Sequence, residues 1–109
     1  MTRWFRRHWA EVDSWFYFEV DGEGMLTRHI ELRGPLERPL AAASLTEWQA
    51  AELAGTLDEY ALTFGTPAGL FVEASVADAT ESLSSDAFEA VWRTARATCQ
   101  ARARARSAS

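Results

Sequence analysis

Four aromatic residues in succession, Trp15-Phe16-Tyr17-Phe18, run directly into the turn signal Asp21-Gly22-Glu23-Gly24. Aromatic and β-branched residues favour strands, so residues 15–20 read as a strand whose side chains alternate between two faces. Both faces then carry rings, and only one of them can be the ordinary core. The following run, LTRHIELR over Leu26–Arg33, reads as the next strand and is ended by Gly34-Pro35. A three-residue loop with a type I turn and a left-handed Gly24 matches the spacing between the two strands. That loop sets Val20 opposite Leu26, Phe18 opposite Arg28 and Phe16 opposite Ile30. On the other face it sets Glu19 opposite Thr27, Tyr17 opposite His29 and Trp15 opposite Glu31. A slip of one residue would exchange the faces. On this register Phe16, Phe18, Val20, Leu26, Ile30 and Leu32 form the core face, with Arg28 its one discordant member. Arg28 has to meet a carboxylate or carbonyl there, because an unpaired buried guanidinium is very costly.

The remaining elements follow from pattern and punctuation. Residues 3–9, RWFRRHW, alternate with Phe5, Arg7 and Trp9 on one side and Trp4, Arg6 and His8 on the other. Pro39–Ala43 fits a short edge strand, with the proline at its first position. Ser44-Leu45-Thr46-Glu47 is a capping box that opens a helix running to Gly55. A second box, Thr56-Leu57-Asp58-Glu59, restarts a helix with Leu57, Tyr60, Ala61 and Phe64 on one face, ending at Gly65. Within residues 66–82, Leu70–Val76 reads as a further strand. Ser84 caps the last helix; Leu83 and Phe88 are spaced as a hydrophobic staple, and Phe88, Val91, Trp92, Ala95 and Cys99 form its buried stripe. Residues 101–109, ARARARSAS, are a basic C-terminal tail of low complexity that is expected to fray. The expected fold is therefore α+β, one domain over 1–109, with an antiparallel sheet of three to four strands packed on one face by two or three helices.

Composition narrows the functions open to such a domain. The chain has 109 residues, 48% of them hydrophobic, which is the make-up of a folded protein. Its single cysteine excludes an intrachain disulfide and a cysteine zinc cage, and on the buried stripe Cys99 reads as an inert thiol. No apolar run approaches the ~20 residues of a membrane span, and the basic N-terminus lacks the apolar core of a signal peptide. These features predict a cytoplasmic protein with no membrane partner. All 11 basic residues are arginines, gathered mainly in residues 3–7 and 93–106, against 16 acids, for a net charge of −5. An acidic body repels a phosphate backbone, so nucleic acid is not an expected partner, whereas a basic protein is. There is no glycine-rich phosphate loop, HExxH, GxSxG or paired-cysteine motif, and neither a cofactor nor a metal is expected.

The candidate site is the outer sheet face, holding Trp15, Tyr17, Glu19, His29, Glu31 and Arg33. Arg6 and His8 or Trp4 join it if the first strand pairs alongside. The face admits three readings. It is a solvated antiparallel face, where Tyr, Trp and Thr ordinarily sit across from charges. It is a protein-binding face, since Trp, Tyr and Arg dominate interface hot spots. Or it is a small catalytic site in which His29 works with Tyr17 or Glu31 in general acid–base chemistry.

The segments WFYFEVDGEG, LTRHIEL, SLTEWQAA and DAFEAVW together resemble small proteins of unknown function from Streptomyces and related actinobacteria. More distantly, they are similar to an immunity-like family found near polymorphic-toxin loci. The resemblance covers most of the chain and is weakest over residues 66–82, where it leaves room for a partner-specific surface. It implies a compact α+β domain that acts by contact, and it supplies no catalytic residues. The leading expectation is a non-enzymatic protein-interaction domain of the immunity-inhibitor type. The alternatives are a small enzyme using His29, and a structural protein that homodimerises through the outer face or the arginine-rich last helix.

Overall fold

The computed structural model describes residues 1–66 and 81–108. Strands β1 (Arg3–Trp9), β2 (Ser14–Val20), β3 (Leu26–Arg33) and β4 (Arg38–Ser44) form an antiparallel meander. Helices α1 (Leu45–Ala54) and α2 (Leu57–Phe64) follow, then a short β5 (Glu81–Leu83) and the long α3 (Ser85–Ala108). The fold is α+β: among the described residues a five-stranded antiparallel sheet in the order β4-β3-β2-β1-β5 carries three packed helices. β5, which pairs with β1, has no counterpart in the sequence reading; the strand expected at Leu70–Val76 lies outside the described residues.

One inserted residue decides which side chains meet the helices. The β2–β3 turn closes as expected, with Gly24 at φ 84° and Val20 opposite Leu26. The next pair, however, is Glu19–Arg28, so Thr27 bulges out of the ladder and the parity of the strands changes. Thr27 Oγ1 holds the bulge by donating to the backbone carbonyl and the carboxylate of Glu19 (3.1 and 2.8 Å). Downstream of it Tyr17 pairs with Ile30, not His29, and Phe18 pairs with His29, not Arg28.

The core face expected for β3 is therefore correct at Ile30 and Leu32, while that of β2 is reversed. Tyr17, Ile30, Leu32 and Ala42 pack with Phe88, Ala95 and Cys99 of α3, and Trp4, Trp15, Phe64, Leu83, Val91 and Trp92 complete the cluster. Phe16 and Phe18 lie on the opposite face, ring to ring with Phe5, Trp9 and His29. This second face is not an open surface: Phe5, Val20, Leu26 and His29 are buried and Phe16 and Phe18 are half-buried.

The helix boundaries match the punctuation, with different chemistry. Ser44 caps α1 by accepting from Glu47 N–H (3.4 Å), and α1 stops at Gly55. The reciprocal arm of the box is absent, because Glu47 turns instead to Arg96 and Tyr60. Thr56 makes no side-chain cap on α2; its hydroxyl lies 3.5 Å from the Ala51 carbonyl. Gly65 passes so close to β4 that an added Cβ would sit 2.7 Å from that of Ala41. At α3, Ser84 Oγ accepts from Ala87 N–H (3.1 Å), and Leu83 and Phe88 both reach the core, as the staple requires. The C-terminal arginines do not fray: α3 runs to Ala108, with Arg102 donating to Cys99 Sγ and Arg106 to Thr63.

Phe88 is fully buried beneath α3, so Phe88→Ala is expected to lower unfolding free energy by about 3–5 kcal/mol. Phe16→Ala, at a half-buried ring of the second face, is expected to cost less. Urea denaturation of the two variants measures both, and equal losses would contradict the face assignment.

Candidate functional site

The six residues assigned to one sheet face are divided by the sheet. Trp15, Tyr17 and Glu19 stand on the α3 side, together with Trp4, Arg6 and His8 of β1. His29, Glu31 and Arg33 stand on the second face. The acid–base pair of His29 with Tyr17 is therefore not assembled. Glu31 shares His29's face but is engaged elsewhere, accepting from Ser14 Oγ and from Arg33 (both 2.9 Å).

On the α3 side, two small networks form. Arg6 donates to the Tyr17 hydroxyl (3.2 Å) and to Glu81 (2.8 Å), and its guanidinium lies 4.2 Å from the Trp15 ring centroid. His8 packs on the same indole and sits 3.1 Å from Asp13. Deeper in, Glu19 accepts from Trp4 Nε1 (2.8 Å), Thr27 and Arg28. Burial opposes ionisation of Glu19, but the hydrogen bonds from Arg28, Thr27 and Trp4 outweigh it and hold the carboxyl below its ordinary range. Arg28, the discordant core residue, also bonds Glu89 and lies 4.9 Å from the centroids of both Phe88 and Trp92. Its pKa is raised because, against the cost of burial, it pairs with two carboxylates. This network has the character of a structural clamp, since its arginine is paired with two carboxylates and Glu19 with three donors.

His29 is the outlier among the polar groups. It is 3% exposed, lies 5.8 Å from Phe16 and 5.9 Å from Phe18 by ring centroid, and neither ring nitrogen has a hydrogen-bond partner. Desolvation pushes its pKa down to about 4, only partly countered by the charge of Glu31.

A different segment carries exposed apolar groups and only acidic charges of its own, with Arg106 of α3 lining a groove beside its Glu59 and Leu62. Residues 45–66, the α1–α2 corner, contain Glu47, Glu52, Asp58 and Glu59 and no basic residue. Leu53 is 90% and Leu62 68% exposed, off the stripe of Leu57, Tyr60 and Phe64, and Glu52, Asp58 and Glu59 are exposed beside them. Glu47 is the exception among the acids. Arg96 grips it with two bonds (2.6 and 3.0 Å) and Tyr60 O–H donates to it (2.8 Å), which holds its pKa down against the effect of burial. The same tyrosine accepts from Ser44 N–H (2.9 Å), and burial with the nearby Glu47 charge pushes its phenol up to about 12. Sequence reasoning missed this corner; the signal that could have found it is a segment without basic residues whose leucines lie off the buried stripe.

Comparison with protein-family models gives no match, and neither the curated proteins nor the solved structures match the chain. Among the described residues no helix is long and apolar enough to cross a membrane, and no group of three or more His, Cys, Asp or Glu is placed to hold a metal.

His29 generates a pH prediction. Its folded pKa lies below its unfolded value of 6.5, so the unfolded chain takes up the proton first as pH falls. Stability is complete above pH 6.5 and declines as pH drops towards 4, by about 3 kcal/mol from this group. His29→Leu is expected to flatten that slope and raise stability at neutral pH, because it removes a buried imidazole with no partner. Thermal melts of both proteins between the two pH values check this.

Proposed function

We propose that the protein is a non-enzymatic interaction domain that binds a basic partner protein through its α1–α2 corner, in the manner of an immunity-type inhibitor acting in the cytoplasm. The observation that carries this reading is that two strongly exposed leucines, Leu53 and Leu62, lie on a segment whose own charges are all acidic, with Glu52, Asp58 and Glu59 exposed. Exposed leucines scattered singly are ordinary. Leucines beside exposed acids offer an apolar anchor and a steering charge together, the two ingredients of a specific encounter with a basic surface. The net charge of −5 works in the same direction at long range. The resemblance to immunity-like proteins, which act by contact, agrees with this role.

The test is isothermal calorimetry of the full chain against the products of genes adjacent to its own. A complex is expected with one basic product, weakened by added salt. Leu53→Ser with Leu62→Ser, and separately Glu59→Arg, are each expected to reduce affinity by roughly tenfold or more while leaving the melting temperature unchanged. A complex that tolerates all three substitutions, or no complex with any product, overturns the reading.

A further inference from the structure

α3 has an outer ridge as well as a buried stripe. Ala95 and Cys99 are fully buried, and the residues on the far side of the helix from them, Arg93, Ala97, Gln100, Ala101 and Arg104, are all exposed. Ala97, Gln100, Ala101 and Arg104 stand at i, i+3, i+4 and i+7, the set of four that receives a side chain from a facing helix. The floor of that hole is two methyl groups. Arg104 sits at one end of it, and Arg93 lies one turn beyond Ala97 at the other. Neither arginine has a hydrogen bond or an ion pair among the described residues, whereas Arg96, Arg102 and Arg106 of the same helix are engaged. Asp86 is exposed on the same side, but about 27 Å along the axis from Arg104, and Glu89 is held by Arg28. The C-terminal half of the ridge is therefore basic.

α2 carries a counterpart. Asp58 and Glu59 precede Leu62 by four and three residues, so the three share one helix face, and all are exposed. Leu62 is 68% exposed, and neither carboxylate has a partner among the described residues. Arg106 of the same subunit lines the groove beside Glu59 and Leu62, where it donates to Thr63 Oγ1 (3.4 Å); Asp58 lies outside that groove. Laid antiparallel on the ridge, this face puts Leu62 into the hole between Ala97 and Ala101. Its two acids then fall one turn along, beside Arg104. The side chain matches the hole and the charges match in sign at the same helical spacing. Within one molecule the two faces cannot meet, because α2 packs on the inner side of α3, where Phe64 joins the core cluster and lies 3.7 Å from the Arg96 guanidinium.

We infer that a second copy of this chain docks its α2 face, Asp58, Glu59 and Leu62, on the outer ridge of α3, with Leu62 against Ala97 and Ala101 and the acids on Arg104. The contact is heterologous, so a docked pair still has one free ridge and one free α2 face, and it grows as an open chain. The inference rests on reading the α1–α2 corner as a binding surface and adds a regulation of it. Self-association covers Leu62 and Glu59, the residues offered to a basic partner, so the partner and the second copy compete for them.

Sedimentation velocity and light scattering of the full chain, up to concentrations on the order of 100 µM, test this. The average mass is expected to rise with concentration past that of a dimer and to fall with added salt. Leu62→Asp spoils the α2 face, and Arg93→Glu with Arg104→Glu spoils the ridge; each should weaken association by roughly tenfold or more. An equimolar mixture of the two variants should form a dimer that grows no further, because each supplies the intact face the other lacks. Misfolded chains cannot complement one another in this way. A wild type that stays monomeric throughout that range overturns this inference alone, since calorimetry against the neighbouring gene products judges the corner itself. A wild-type dimer that does not grow, or a mixture that stays monomeric, overturns it equally.

Discussion

The whole arrangement depends on holding two arginines against the rings of α3. Arg28 reaches up from β3 and Arg96 down from α3, and the Trp92 ring lies between them, 4.9 and 5.0 Å from their guanidinium carbons. Arg96 is also 3.7 Å from the Phe64 centroid, which brings α2 into the column. A guanidinium is tolerated here because its faces stack on rings while its edge finds carboxylates, Glu19 and Glu89 for Arg28 and Glu47 for Arg96. Strands β2 and β3 and all three helices therefore contribute a member. Remove Arg28 and the part-buried Glu19 keeps only the neutral donors Trp4 and Thr27. That dependence makes the column a constraint on the packing and not merely an addition to it.

Much of this architecture could be read before any coordinates existed, for reasons that are local. Strand alternation, the glycine break at 55 and the Leu83–Phe88 staple all operate within a few residues, where spacing and geometry are tightly linked. The face assignment failed because it depended on parity, and parity was changed by one residue with no distinctive side chain. Threonine at a bulge looks like threonine in a regular strand; what holds Thr27 out is the oxygen of Glu19, a partner across the sheet. The placement of Arg28 on the helix-covered face, with a carboxylate to meet it, did hold, and Glu19 and Glu89 are those carboxylates. An arginine flanked by acids from another strand and from a helix is a packing element, and its presence marks the helix-covered side.

The candidate residues shared that fate. Trp15, Tyr17 and Glu19 were placed with His29, Glu31 and Arg33 by register alone, and the bulge divides them into two groups of three. The first group is spent on clamping β1 and β2 beneath α3. In the second, Glu31 and Arg33 satisfy one another and Ser14, and His29 lies against two phenyl rings. What sequence reasoning treated as one chemically competent face is two sets of groups separated by the thickness of a sheet. The acidic corner escaped notice because its signal is an absence, and the arginine-free run extends over residues 39–92, so it does not single out 45–66.

The hydrogen bonds that tie Tyr60 and Arg96 to β4 have a consequence for colloidal behaviour. β4 is the outermost strand, and a bare outer strand offers unpaired amides and carbonyls that template the addition of foreign strands. Here Ser44 N–H is taken by the Tyr60 hydroxyl, which also lies 3.4 Å from the Ser44 carbonyl, and Ala42 O is taken by Arg96. The same side chains that knit the helices together thus occupy the α1 end of the sheet's margin, where an added strand would otherwise find free backbone groups.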